Sequence, residues 1–173
     1  MKTIAFFGHR QVFDEQTIKS KLKSTLKTLI KQGYKKMLLG YHGDFDALVL
    51  QVCLDIKNNE DCDIEICIVQ KSFSCLSRRK SDLSKADLFN LIGCETIFYD
   101  IEKVHYKNLI TYSNKKMVDQ CDLVICYVDL DYYGSGAIIP IKYAIKQNKP
   151  IINFYNKQKI EKYISKIKKA INN

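Results

Sequence analysis

The sequence predicts an α/β fold: a doubly wound, mainly parallel sheet with helices on both faces. Three observations point there. Short, almost wholly apolar runs alternate with longer stretches whose apolar residues recur at helical spacing. The runs are too uniformly apolar for a sheet with one wet face, so helices must cover both sides. The 173 residues contain only two prolines, with no internal repeat and no low-complexity linker, so residues 1–173 are expected to form one domain.

The elements follow in order. Thr3 to Phe7 reads as the first buried strand. Asp14 to Gln32 is a helix with Ile18, Leu22, Leu26 and Leu29 inward, Asp14 as N-cap and Gly33 as its C-terminal stop. Lys36 to Leu39 is a second strand, and Asp44 to Asn58 a helix that buries Phe45, Leu48, Val49, Val52, Cys53 and Ile56. Ile64 to Val69 is a third strand. Gln70 to Glu95 is polar and poorly patterned, with Arg78-Arg79-Lys80 and a short amphipathic piece from Leu83 to Leu91. Thr96 to Tyr99 is a strand, Tyr106 to Gln120 a helix, Leu123 to Val128 a strand and Ala137 to Gln147 a helix. Ile151 to Phe154 is the last strand, and Lys157 to Ile171 a closing helix with Ile160, Tyr163, Ile164, Ile167 and Ile171 inward. This alternation is Rossmann-like.

Composition narrows the class. With 46% hydrophobic and 11% aromatic residues the chain can fill a core, which excludes disordered, collagen-like and mini-protein classes. No apolar run approaches the roughly 20 residues of a membrane span. Met1-Lys2-Thr3 leads straight into a strand without a signal-peptide core, so a cytoplasmic location without a membrane partner is expected. The seven cysteines are an odd set with no CxxC pair; they read as free buried thiols, although Cys62/Cys67 and Cys121/Cys126 share a spacing. No metal and no cofactor are expected.

The net charge of +9 is unevenly spread. Residues 1–40 carry nine basic and two acidic side chains, residues 41–104 seven and twelve, and residues 105–173 twelve and five. Lys19, Lys23, Lys27 and Lys31 form a stripe opposite the apolar face of the first long helix, as a solvated helix back would. Nucleic acid is therefore disfavoured as a partner and kept as a second alternative.

In such a sheet, ligands sit outside the carboxyl ends of the strands. Three loops there hold residues that packing does not ask for. Gly8-His9-Arg10 follows the first strand: the glycine permits a tight turn, and the two side chains can offer donors to a phosphate or carboxylate. Gly40-Tyr41-His42-Gly43-Asp44-Phe45-Asp46 opens a helix, where free backbone amides make an anion site. Asp44 serves equally well as a helix cap. Asp129-Leu130-Asp131-Tyr132-Tyr133-Gly134-Ser135-Gly136 places a Gly-Ser-Gly before another helix. Its amides can meet a phosphate, while Asp129 and the tyrosines can meet a ribose or base. Neither GxGxxG nor GxxxxGK[ST] occurs, which disfavours a standard NAD dehydrogenase and a Walker-type NTPase.

The segments TIAFFGHR (3–10), GYHGDFD (40–46) and NKKMVDQCDLVI (114–125), with Lys142-Tyr143-Ala144 and Lys149-Pro150-Ile151-Ile152-Asn153, together resemble the SLOG superfamily, and within it the YpsA-like branch. The resemblance implies a Rossmann-like domain that binds a nucleotide or nucleotide-derived small molecule as a sensor, carrier or sequestering protein in prokaryotic stress or conflict signalling. Related folds include the lonely-guy phosphoribohydrolases, the nucleoside deoxyribosyltransferases and the DNA-uptake processing proteins, and they suggest a homo-oligomer, specifically a homodimer. Gly8, His9, Arg10, Gly40, Gly43, Asp46, Asn114, Gly134 and Gly136 match motif positions, and Tyr41, Asp44, Lys115, Asp129 and Ser135 complete the candidate ligand-binding set. Ser113 stands where the family has arginine, and Tyr41 where it has a second glycine.

N-glycosidic cleavage needs a carboxylate at the anomeric carbon. The deoxyribosyltransferase-like relatives place a glutamate four residues after the glycine that opens the late helix. Aligned on Gly136, that position is Pro140. A non-catalytic binding module is therefore the first expectation. The alternative is a nucleotide N-glycosidase or phosphoribohydrolase-like hydrolase using Asp44, Asp46 or Asp129.

Overall fold

The computed structural model describes residues 1–59, 62–70, 85–132, 135–158 and 160. Arg78-Arg79-Lys80, the start of the Leu83–Leu91 piece, Gly134 and most of the closing helix lie outside the described residues. The first turn of that helix, at 157, 158 and 160, is helical.

Six strands form one parallel sheet: β1 (Lys2–Gly8), β2 (Tyr34–Leu39), β3 (Glu65–Gln70), β4 (Glu95–Phe98), β5 (Leu123–Tyr127) and β6 (Ile151–Asn153), in the order β4-β3-β2-β1-β5-β6. The helices are α1 (Glu15–Lys31), α2 (Asp44–Asn59), α3 (Lys85–Leu91), α4 (Leu109–Gln120) and α5 (Ile138–Lys146). This is the predicted doubly wound α/β architecture. Alternation along β1 shows why both faces are covered: Ile4 and Phe6 enter the core with α1 and α2, while Ala5 and Phe7 enter the one with α4 and α5.

α1 shows how the sequence sets an element. Ile18, Leu22, Leu26 and Leu29 are buried, each such side chain contributing about 1.5–3 kcal/mol. Gly33 ends the helix at φ 91°, a left-handed turn that a side chain would strain, and its carbonyl accepts the Lys2 N–H at 3.0 Å. Asp14 does occupy the cap position, but with φ 54° and no side-chain cap bond. The expected helix from Tyr106 begins as a 3-10 turn (Tyr106–Asn108) and becomes α-helical at Leu109. Pro140 falls in the first turn of α5, where its missing N–H costs no helical hydrogen bond.

β1 lies between β2 and β5. The chain winds from β1 outward through β2, β3 and β4, then returns across the sheet to β5 and β6. That reversal opens a crevice at the carboxyl ends of β1 and β5.

Candidate functional site

The crevice is a cleft of about 960 Å³. β1 and β5 pair with Gly8 opposite Tyr127, and the His9 N–H donates to the Tyr127 carbonyl at 3.1 Å. The residues that follow each strand therefore face one another. Gly8, His9, Arg10, Gly40, Gly43 and Asp46 line the cleft from the side of β1 and β2. Asn114, Asp129, Ser135 and Gly136 line it from the side of β5. Tyr41, Asp44 and Lys115 are not among the lining residues. Tyr41 packs its ring 4.0 Å from His42 and 5.8 Å from Phe89, Asp44 is exposed with its N–H bonded to the Arg10 carbonyl, and the Lys115 ammonium sits 5.4 Å from the Tyr143 ring centre.

Two glycines are required by close approach. A Cβ on Gly8 would fall 2.4 Å from Phe45, and one on Gly43 would fall 3.0 Å from the Arg10 Cα and 3.2 Å from the His9 carbonyl oxygen. Gly8 thus lets β1 run against the start of α2, and Gly43 lets the first two loops touch. Phe45 itself is core, stacked on Tyr127 at 5.9 Å. Gly136 meets nothing within 4 Å, so no steric demand explains it.

His9 lies at the centre. Its Nε2 accepts the Asp129 backbone N–H at 2.7 Å, and its Nδ1 lies 3.0 Å from Ser135 Oγ. Tyr155, Tyr132 and Tyr127 surround the ring edge-on at 5.7, 6.2 and 6.4 Å. Burial lowers its pKa below the ordinary 6.5, opposed by the nearby Asp129 carboxylate. A backbone N–H can only donate, so Nε2 is bare and the proton of the neutral ring sits on Nδ1, pointing at Ser135. The trio of Ser, His and Asp has the members of a nucleophilic triad with the wrong polarity: the nitrogen facing the hydroxyl already carries a proton.

The carboxylates offered for glycosidic chemistry are engaged or remote. Asp129 accepts the Asp131 N–H at 3.0 Å on Oδ1 and the Tyr155 hydroxyl at 3.1 Å on Oδ2. Asp46 Oδ2 accepts the His42 N–H at 3.0 Å. By contrast, Asn114 is only 6% exposed, lines the cleft, and its Oδ1 has no hydrogen-bond partner among the described residues. Ser113 beside it is fully buried, so the arginine of the resembled motif has no counterpart there.

Gln11, Phe13, His42, Ile110, Ala137 and Tyr155 also line the cleft, and the sequence reading left them out of the site. Tyr155 carried a usable signal, an aromatic just beyond a strand at the carboxyl edge. Among the described residues, the one group with metal-ligand spacing is Glu65, Cys67 and Glu95, at the opposite edge of the sheet. There the Cys67 thiol donates to Glu65 at 3.2 Å and to Glu95 at 3.5 Å, and the Lys36 ammonium pairs with Glu65. That hydrogen bond holds the Glu65 carboxyl below its usual range, and burial pushes the Cys67 thiol up. Among the described residues no helix is long and apolar enough to cross a membrane.

No protein-family model and no curated protein matches this sequence. Among solved structures, the chain is similar to the X-ray structure of DNA processing protein A (DprA) from Streptococcus pneumoniae, at 13% identity and a TM-score of 0.58, over 88% of this chain and 50% of that one. The chain thus spans about half the length of that relative. What the likeness shows is the fold, a Rossmann-like parallel α/β sheet.

Proposed function

We propose that the protein binds a nucleotide or nucleotide-derived small molecule in the cleft between β1 and β5, as a non-catalytic module of the YpsA-like kind. The observation that carries this is the convergence on one cleft of Arg10, two glycine-flanked helix starts and the unpartnered amide oxygen of Asn114. The volume is at the upper end of the roughly 300–1,000 Å³ of small-molecule sites. Arg10 is exposed and faces no carboxylate within ion-pair distance among the described residues, so its charge is available to a phosphate. Tyr132 and Tyr155 offer ring surface, and Tyr132 a hydroxyl, to a sugar or base. A hydrolase is less well supported: Pro140 replaces the expected glutamate, Asp129 is held by two donors, and His9 is protonated on the side facing Ser135.

A thermal-shift panel of mononucleotides, NAD-derived molecules and cyclic nucleotides at millimolar concentration tests this. At least one should raise the Tm by mass action, and Arg10→Ala should remove the rise. If none moves the Tm, the proposal fails. Released base after incubation with nucleoside monophosphates or NAD would favour the hydrolase instead. A second reading, nucleic-acid binding, draws on the fold likeness to a DNA processing protein. It requires a steeply salt-dependent gel shift.

A further inference from the structure

Ser135 has one hydrogen-bonding capacity left, and His9 decides which. The Asp129 N–H occupies His9 Nε2 at 2.7 Å, so the neutral ring carries its proton on Nδ1 and donates to Ser135 Oγ at 3.0 Å. The Ala137 N–H also reaches Ser135 Oγ, at 3.3 Å. A serine hydroxyl has two acceptor lone pairs and one proton. With two donors already aimed at the oxygen, the proton remains, and no acceptor for it is found among the described residues. Ser135, Gly136 and Arg10 all line the cleft. Asn114, 6% exposed and with its amide oxygen unpartnered, marks the same cleft as built for a polar ligand.

We infer that His9 is a positioning residue that presets Ser135 as a hydrogen-bond donor, so that the cleft takes an oxyanion of its ligand, a phosphate or carboxylate oxygen, at Ser135. The inference rests on the ligand-binding reading above and narrows it. An oxyanion offers only lone pairs, and a charge-assisted bond to it is roughly twice as strong as a neutral one. An ammonium or amide N–H at the same place would meet three hydrogens and no free lone pair. The same tautomer keeps Ser135 from acting as a nucleophile, because His9 cannot take its proton.

The test has a ligand-free arm and a ligand arm. Long-range ¹H–¹⁵N correlation on the histidine-labelled full chain at pH 7 should show His9 with Nδ1 protonated and Nε2 bare. A proton on Nε2, or averaging between the two tautomers, overturns the inference and leaves nucleotide binding untouched. Inorganic phosphate, acetate, adenosine 5′-monophosphate and adenosine are then titrated into the wild type, Ser135→Ala, His9→Asn and His9→Ala. The monophosphate should bind the wild type, with affinity lower by roughly ten- to a hundredfold in Ser135→Ala and His9→Ala. His9→Asn, which retains a donor on the Nδ1 side, should recover most of it. A stronger response to phosphate than to acetate assigns a phosphoryl source, and the reverse a carboxylate source. Equal binding of the monophosphate by wild type and Ser135→Ala, or a wild type that answers to adenosine alone, overturns the inference while sparing the nucleotide reading. Silence toward every probe overturns both.

Discussion

Phe45 fills the space into which any side chain at position 8 would project, with three of its carbons 2.4 Å from where a Cβ on Gly8 would lie. The ring is fully buried and stacked on Tyr127, so it has little room to swing away. Gly8→Ala is expected to cost about 1–3 kcal/mol through overpacking. Urea unfolding should show a lower midpoint at an unchanged slope. A loss below about 0.5 kcal/mol, within the usual range of a neutral surface change, would show that the ring yields.

Asn114 presents the opposite case, a polar group that the fold holds at a loss. A buried amide oxygen without a partner among the described residues forfeits about 1–3 kcal/mol of hydration. Asn114→Leu should therefore leave the ligand-free protein as stable as wild type, or more so by about 1 kcal/mol, while removing protection by any nucleotide that stabilises the parent. Denaturant curves with and without ligand check both halves. A strong destabilisation of the ligand-free protein would assign Asn114 a structural role instead.

His9 couples stability to acid. Its pKa is lowered in the folded state relative to the unfolded value of 6.5, so the unfolded chain takes up the proton first on acidification. Its share of stability is complete above about pH 6.5 and is lost as the pH falls through 6.5 and then through the folded value. Denaturation midpoints measured from pH 7.5 down to pH 5 should fall more steeply for wild type than for His9→Asn.

The core thiols should be inert. Burial is the main cause that pushes Cys53 and Cys126 up to about 12 and Cys121 up to about 11. All three are buried, so they lack both thiolate and access. Alkylation at pH 8 followed by mass mapping should modify them only after denaturation. Rapid labelling in native buffer would show that the core around β5 and α2 opens readily.

What the sequence made legible was local. Uniformly apolar runs announced the strands, the Leu22 and Leu26 spacing announced α1, and Gly8 and Gly43 stood where close approach demands them. The partnership of His9 with Ser135 was not legible, because the two are 126 positions apart and meet only through the β1–β5 pairing. Tyr155 escaped for the same reason: its hydroxyl serves Asp129 from beyond β6. The cluster of Cys67 with Glu65 and Glu95 depends on the β3–β4 register, in which Cys67 lies opposite Glu95. Asp14 shows a different limit, since residue type located the helix start but not its left-handed backbone.

The position of β1 between β2 and β5 also bears on biosynthesis. Thr3 bonds to Asp122 across 119 residues, so one edge of the first strand stays unpaired until that distant segment has left the ribosome. At roughly 5–20 residues per second, the wait is about 6–24 s. During it, a nascent chain bearing Phe6 and Phe7 on an open strand edge offers a template for intermolecular pairing. Slowed translation between codons 40 and 120 should therefore increase aggregation of this protein, and chaperone capture of the emerging amino-terminal half should relieve it.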